Sequence, residues 1–121
     1  MLQLFDECFM IEEIFNIKAM IIYNVTINVE DEIAADWLQW MKETHLPDVM
    51  KTGMFEYYKF LKLHTRQEDE VGQTFAVQYY ASHMDNYEKY VNEYAPALKA
   101  DSFNRWGNKF IAFRTLLEEL D

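Results

Sequence analysis

The chain has 121 residues, which is enough for one domain with an ordinary core and too few for two. Its 21 acidic residues outnumber 11 basic ones, and the net charge is −10. Such a surface repels phosphate backbones and anionic lipid, so we expect no nucleic-acid or membrane partner. One cysteine, Cys8, and three scattered histidines exclude an internal disulfide and give no zinc pattern. We therefore expect a reducing, cytoplasmic setting, with no metal and no cofactor.

The first nineteen residues differ in character from the rest of the chain. They are apolar but interrupted by acidic side chains, with no basic residue before Lys18, which is unlike a secretory signal peptide. If this segment forms a short amphipathic helix, its apolar side would carry Phe5, Phe9, Ile11 and Ile14. The alternative is that the native chain starts at Met20. We treat 1–19 as an N-terminal extension and 20–121 as a single domain.

Hydrophobic periodicity predicts six elements after Met20. Apolar and polar residues alternate in the first strand, whereas three- and four-residue spacing marks two helices. The predicted order is strand 21–29, helix 31–52, strand 55–64, strand 73–81, a helix beginning at Ser82, and strand 109–117. This β-α-β-β-α-β order predicts an α+β, ferredoxin-like fold, with an antiparallel sheet and both helices on one face.

Proline and glycine mark the expected ends of the helices. Pro47 lacks an amide donor and crowds the preceding turn, so we expect the first helix to kink or break near Leu46. Gly53 supplies the left-handed conformation that stops this helix. Pro96 predicts a similar break in the second helix.

One face of the predicted sheet carries a mixture of polar and small side chains. If the odd positions of the first strand face the helices together with Ile111 and Phe113, Arg114 lies on the opposite face. The other polar candidates on that face are Asn24, Thr26, Gln78 and Tyr80. Such a set suits a ligand cavity, because the planar Arg114 guanidinium matches a carboxylate or phosphate. The alternatives are a solvent-wetted face, or a dimer interface where Arg114 pairs with an acidic residue of the partner.

His45 and Asp48 are the candidates for acid/base chemistry. His45 falls on the flank of the apolar stripe of the first helix, and Asp48 follows three residues later. The carboxylate could hold the imidazole in one tautomer, as a catalytic pair requires. The alternatives are a structural histidine on the helix flank and an aspartate that caps the helical turn after Pro47.

Five segments in the chain after residue 19 resemble a known family: MIIYNVTINVE, WLQWMKETHLPDVMKTGMF, FAVQYYA, YAPALKAD and NKFIAFRTLLEEL. They are similar to the uncharacterised bacterial family called domain of unknown function 4286. The resemblance implies a dimeric α/β barrel, in which two ferredoxin-like sheets pack face to face around a shared cavity. That group includes cofactor-free mono-oxygenases, small-molecule isomerases and plain ligand binders. His45, Gln78 and Arg114 match motif positions of the family, to which the resemblance assigns no role.

We therefore expect a homodimer that binds a small anionic or aromatic metabolite in the barrel. A cofactor-free enzyme of the mono-oxygenase or isomerase type is an alternative, and would need His45 or a tyrosine within reach of the ligand. A further alternative is an interaction module that binds a protein through its sheet face or acidic surface. A pocket on the order of a few hundred Å³ around Arg114 would favour the ligand, and a filled interior the interaction module.

Overall fold

The computed structural model describes residues 20–65 and 67–121. The predicted extension 1–19 and its amphipathic helix lie outside the described residues. Four strands form one antiparallel sheet in the order β2-β3-β1-β4. The strands are β1 (Ile21–Val29), β2 (Tyr57–Lys62), β3 (Gln73–Ala81) and β4 (Phe110–Glu118). Together with two helical segments they confirm the predicted α+β, ferredoxin-like fold. Among the described residues, no helix has the length and apolarity needed to cross a bilayer.

Each helical segment consists of two α-helices joined by a π-helical turn. The first segment contains α1 (Ala34–Trp40), a first π-turn (Met41–His45) and α2 (Leu46–Lys51). A 3₁₀ turn at Asp31–Ile33 precedes it. The second segment contains α3 (Met84–Lys89), a second π-turn (Tyr90–Tyr94) and α4 (Ala95–Trp106). Gly53 ends the first segment with a φ of 75°, in the left-handed region, as predicted.

Neither helical segment breaks at its proline, because both continue through Pro47 and Pro96, but a π-turn interrupts the regular α-helix just before each proline. In each segment the π-turn ends two residues before the proline. A proline ring normally clashes with the carbonyl four residues earlier, and a turn with i→i+5 hydrogen bonds is wider at that point. Leu46 and Ala95, the residues just before the prolines, are both buried. Their burial in the core favours continuing the helix over breaking it.

The register of the sheet decides which side chains face the helices. The odd positions of β1 are all buried under the helical layer, as the alternation predicted. Val25 pairs with Val77 of β3 on one side and with Arg114 of β4 on the other. Directly opposite residues in an antiparallel pair point to the same face. Arg114 therefore faces the helical layer, and its predicted position on the opposite face is wrong.

The error at Arg114 comes from the composition of β4. Its sequence, FIAFRTLLE, carries large apolar residues at both odd and even positions, so alternation cannot assign its faces. Ile111 and Phe113, expected beneath the helices, pair with Asn28 and Thr26 on the other face. Both are exposed, at 58% and 65%. Because β4 is an edge strand, helices do not fully cover either of its faces. Its burial pattern therefore does not distinguish the face towards the helices from the open one.

The core lies between the sheet and the helical layer and is rich in aromatic side chains. Trp37 of α1 packs against Phe60 and Phe75, with ring centroids 5.9 and 5.1 Å away. Tyr23 contacts four other rings at centroid distances of 5.4–6.3 Å. These rings belong to Phe55, Tyr79, Tyr87 and Tyr90. The aromatic packing fixes how the helical segments lie on the sheet, and so positions the cavity described next.

Candidate functional site

A small cavity lies inside the protein, where β1, β3 and β4 meet the two helical segments. Its volume is about 50 Å³. The described residues that line it are Tyr23, Val25, Ile27, Met41, His45, Tyr79, Tyr90, Ala95, Leu98, Lys99 and Arg114. Three of these are basic side chains and none is acidic. In a chain with a net charge of −10, this local excess of positive charge makes the cavity suitable for an anion.

Arg114 reaches this cavity from the middle of β4. It pairs with Val25 of β1, which lies two residues from Tyr23 on the same face of the sheet. The Arg114 guanidinium lies close enough to the Tyr23 phenol to lower the pKa of that group against the effect of burial. It acts on Tyr90 through its charge alone. Because Arg114 itself remains exposed, a ligand can approach its guanidinium from solvent along the edge of the sheet.

Three tyrosines supply neutral hydroxyl groups around the cavity. Burial raises the pKa of Tyr23, Tyr79 and Tyr90 above the usual phenol value. Arg114 partly opposes this effect at Tyr23 and Tyr90. All three phenols are therefore protonated at neutral pH. A protonated phenol can donate a hydrogen bond to an anionic oxygen, which a phenolate cannot do.

The two π-turns flank the cavity from opposite helical segments. Met41 and His45, the first and last residues of the first π-turn, both line it. Tyr90, the first residue of the second π-turn, and Ala95, which follows that turn, line it from the other segment. Single π-turns inside α-helices occur frequently at functional sites. Here they displace the helix surface at the point where His45 and Tyr90 meet the cavity.

Among the described residues, the His45 ring is held by stacking and forms no hydrogen bond. Its ring lies nearly parallel to the indole of Trp40, with centroids 5.0 Å apart and an interplanar angle of 25°. The predicted pair with Asp48 is not formed as a hydrogen bond between these two described residues; Asp48 acts on the imidazole through charge only. Burial lowers the pKa of His45, and the carboxylates of Asp48 and Asp101 oppose that effect. The ring is therefore neutral near pH 7.

Acidification is expected to destabilise the fold through His45. Because burial lowers the pKa of His45 in the folded state below its ordinary value of 6.5, the unfolded chain binds the proton more readily. The contribution of His45 to stability is therefore complete above about pH 6.5, and it is lost as the pH falls towards the folded-state pKa of this residue. Urea unfolding between pH 5 and 8 should show this loss in the parent protein and a smaller loss in His45→Asn. His64→Asn, in the exposed segment after β2, should behave like the parent, and equal pH dependence in all three proteins would contradict the expectation.

The remaining predicted site residues lie together on the opposite face of the sheet, here called the open face. Asn24 pairs with Gln78 across β1 and β3, and Thr26 and Tyr80 lie on the same face. Their polar groups largely satisfy one another: Asn24 Nδ2 donates to Thr26 Oγ1 at 3.1 Å, and the Tyr80 hydroxyl donates to Gln78 Oε1 at 3.3 Å. Tyr80 is also covered by the ring of Tyr57, with centroids 4.3 Å apart. The structure thus brings these four together but separates them from Arg114.

Apolar side chains lie along both outer edges of the open face. On β4 they are Ile111, Phe113 and Leu117, which are 58%, 65% and 42% exposed. On β2 they are Tyr57 and Leu61, which are 42% and 44% exposed. Between these two rows lie the polar side chains of β1 and β3. Exposed apolar rows of this kind are typical of a protein–protein contact surface.

The sequence prediction missed most of the residues that line the cavity. Tyr23, Tyr90 and Lys99 were not predicted, because they come from β1 and the second helical segment and converge only in the folded chain. One available signal was the repeated pattern of a ring-bearing residue, a small or apolar residue and proline: His45-Leu46-Pro47 and Tyr94-Ala95-Pro96. Each copy begins at the last residue of a π-turn. Within the described residues no group of His, Cys, Asp and Glu could hold a metal ion.

The chain belongs to the family described as Domain of unknown function (DUF4286), whose model matches residues 20–120. No curated protein sequence is significantly similar to the chain. Among solved structures, it is similar to an ethyl tert-butyl ether d (EthD) family protein from Bacillus halodurans. The TM-score is 0.64 and the sequence identity 14%, and the match covers 84% of this chain and 100% of that one.

Two other similar structures carry more specific descriptions. One is a dimeric ferredoxin-like protein from an uncultured marine organism, with a TM-score of 0.61, 8% identity, and coverage of 85% of this chain and 97% of that one. The other is SnoaB from Streptomyces nogalater, a cofactor-independent oxygenase, with a TM-score of 0.60, 10% identity, and coverage of 84% and 94%. At these identities the similarity establishes the fold alone.

Proposed function

We propose that this member of the DUF4286 family binds a small organic anion, whose charged group Arg114 holds in the cavity between the sheet and the helical layer. The observation that carries the proposal is the charge of the lining: Lys99 and Arg114 are cationic, His45 is neutral near pH 7, and no described lining residue is acidic. A planar guanidinium can make two parallel hydrogen bonds to a carboxylate. The neutral phenols of Tyr23 and Tyr90 lie close enough to Arg114 to feel its charge, and can donate to the same anion.

The size of the cavity limits what can bind. A volume of about 50 Å³ falls short of the few hundred Å³ predicted for a ligand pocket around Arg114, so cavity size alone favours the interaction module over a ligand that is wholly enclosed. It accommodates a carboxylate and the first one or two carbons next to it, while the rest of any larger ligand extends past the exposed side chain of Arg114 towards solvent. The ligand is therefore a small carboxylic acid, or a larger one bound by its head group.

The protein is proposed to act as a homodimer in which two open faces pack against each other. The apolar rows on β2 and β4 support this arrangement, because a second copy would cover them. The polar side chains between the rows, including Asn24 and Gln78, would then line the space between the sheets. Similarity to a dimeric ferredoxin-like protein also supports the dimer.

Cofactor-free catalysis is a second candidate function, favoured by one observation. His45, a group suited to proton transfer at neutral pH, lines the same cavity as Arg114. One structural relative is described as a cofactor-independent oxygenase. The protein-interaction alternative applies to the open face if a different protein, rather than a second copy of this chain, covers it.

Binding should raise the unfolding temperature in the presence of the right ligand. A ligand at 100 times its dissociation constant adds about 2.7 kcal/mol, which raises the midpoint by roughly 10 °C for a domain of this size. We expect such a shift with carboxylates from a panel of carboxylates, phosphates and aromatic metabolites. Arg114→Gln should abolish the shift, because the amide offers neither the charge nor the two-pronged geometry.

Arg105→Gln is the matched control for this experiment. Arg105 stacks on Trp106 at 4.6 Å from the ring and does not line the cavity. The control variant should keep the full ligand-induced shift. A shift that survives in Arg114→Gln would place the ligand elsewhere, and no shift with any compound would favour the protein-interaction alternative.

A further inference from the structure

His45 lies between two separate open spaces. On one side it lines the cavity that holds the Arg114 guanidinium. On the other side it lines a surface groove of about 360 Å³ between the two helical segments. The described residues of this groove are Trp40, Thr44, His45, Asp48, Asp101, Asn104 and Arg105. An imidazole carries nitrogens on different edges of its ring, so a side chain in this position can exchange protons with both spaces.

Both ring nitrogens of His45 are available for proton exchange. Within residues 20–65 and 67–121 neither forms a hydrogen bond, and neither is sealed from accessible space. In this part of the chain, the only buried side-chain nitrogen or oxygen without a partner is Trp106 Nε1. A structural histidine would normally use at least one nitrogen to bond the surrounding protein. Stacking on Trp40 instead fixes the plane of the ring while leaving both nitrogens free.

We propose that His45 is the proton-transferring residue of a cofactor-free enzyme site, acting on a 2-oxo acid whose carboxylate is held by Arg114. This step rests on the proposed function, because it requires the ligand to occupy the same cavity. The imidazole removes a proton from the carbon next to the oxo group. The C–H bond breaks, an N–H bond forms on His45, and the electron pair of the broken bond becomes part of an enolate. Returning the proton to a carbon or to the oxygen completes an isomerisation or exchange without an oxidant or a metal.

The lining supplies the three groups that this chemistry needs. Arg114 provides a cation for the carboxylate, and His45 provides a base that is neutral at pH 7. The negative charge of the enolate develops on the oxo oxygen, where a preorganised donor stabilises it most. Tyr23 and Tyr90 line the same cavity as Arg114 and are protonated donors, so their hydroxyls can reach the bound acid. The required substrate is therefore an acid whose oxo group adjoins its carboxylate.

Several charged groups set the protonation of His45 during such a cycle. Asp48 on the same helical segment and Asp101 on the second segment favour the protonated ring, and both lie on the groove side. Arg114 and Lys99 carry the positive charge on the cavity side. A bound carboxylate neutralises part of this positive charge. Ligand binding thus prepares His45 to accept a proton, and the groove carboxylates favour its release to solvent on that side.

Hydrogen–deuterium exchange of small 2-oxo acids tests the proposal directly. Pyruvate and 2-oxobutyrate are incubated in D₂O with the full-length chain, and loss of the proton signals beside the oxo group is followed by NMR. We expect enzyme-dependent exchange that falls by about 100-fold or more in His45→Gln, in line with the usual contribution of a general base. His64→Gln, at an exposed histidine outside both spaces, should exchange at the parent rate.

The pH profile of the parent protein gives a second readout that needs no variant. Exchange should rise as His45 loses its proton and reach a plateau at neutral pH, because only the neutral ring is a base. A rate that is independent of pH between 5 and 8, or equal rates in His45→Gln and the parent, would overturn the proposal. An Arg114-dependent thermal shift without exchange would overturn it while leaving the anion-binding function intact. The absence of both a shift and exchange would overturn both.

Discussion

Phe113→Asp is expected to convert a dimer into monomers. Phe113 lies on the open face opposite Thr26 and is 65% exposed in the single chain. In the proposed dimer this ring is covered by the second copy, so the variant would bury a carboxylate without a partner. Burial of an unpaired ion costs several kcal/mol. A loss of about 4 kcal/mol weakens dimerisation by roughly a thousandfold. Sedimentation velocity or light scattering after size exclusion would measure the change in mass.

Phe103→Asp is the matched control for the dimer prediction. Phe103 lies in α4 and is 63% exposed, nearly the same fraction as Phe113, but it belongs to the helical layer and not to the sheet. The control variant should remain dimeric. If both variants or neither changed the mass, the open face would not be the interface.

The proposed dimer interface and the proposed anion site use opposite faces of the same strand. Phe113 and Arg114 are consecutive residues of β4, and consecutive side chains in a strand point to opposite faces. In the proposed dimer Phe113 therefore faces the second copy, whereas Arg114 faces the helical layer of its own chain. Each copy keeps a complete cavity, and a monomeric Phe113→Asp variant should still show the Arg114-dependent thermal shift. Loss of that shift would mean that the second copy contributes to the ligand site.

The fold could be predicted because the central strands alternate cleanly. β1 and β3 are paired on both edges and covered by helices on one face, so burial follows residue parity along them. The edge strand β4 has no such constraint. Its apolar residue Phe110 packs against the core, whereas Phe113 lies on the open face. The register of β4 with β1 can be obtained only from the folded sheet. An assignment of inward and outward positions that was wrong by one residue along β4 placed Arg114 on the wrong face of the sheet.

The helix breaks were mispredicted for a different physical reason. A missing amide donor at Pro47 is a local cost, and the sequence shows only that cost. The gain from burying Leu46 and Val49, both with no exposed surface, depends on the sheet beneath them. Tertiary packing outweighs the local preference, and the π-turn accommodates the proline. This same turn places His45 at the cavity, so the site depends on the feature that sequence periodicity could not show.

The chemical types of the site residues were easier to predict than their arrangement. A guanidinium in a strand and a histidine beside a helical apolar stripe were recognisable as candidates, and Arg114 and His45 do line one cavity. They were expected on separate parts of the molecule, because parity assigned Arg114 to the sheet face away from the helices, whereas His45 lies on a helix. Nothing in the sequence marked Lys99, because lysine side chains are common on the exposed faces of helices. Convergence of three basic groups is a property of the fold, not of any segment.

Gly72→Ala is expected to destabilise the protein by about 3 kcal/mol. Gly72 has a φ of 78°, which costs an L-residue about 1–2 kcal/mol. An added Cβ would lie 2.5 Å from the carbonyl oxygen of Val29 and 3.0 Å from Asn28 Oδ1. Val29 belongs to the central strand β1, which is paired on both sides and cannot move away, so the overlap adds about 1–3 kcal/mol.

Gly53→Ala separates the two causes, because Gly53 has a φ of 75° but nothing within 4 Å of an added Cβ. Urea unfolding should therefore show a loss of about 1 kcal/mol for Gly53→Ala, from backbone strain alone, and equal losses in the two variants would contradict the close approach of Gly72 to β1.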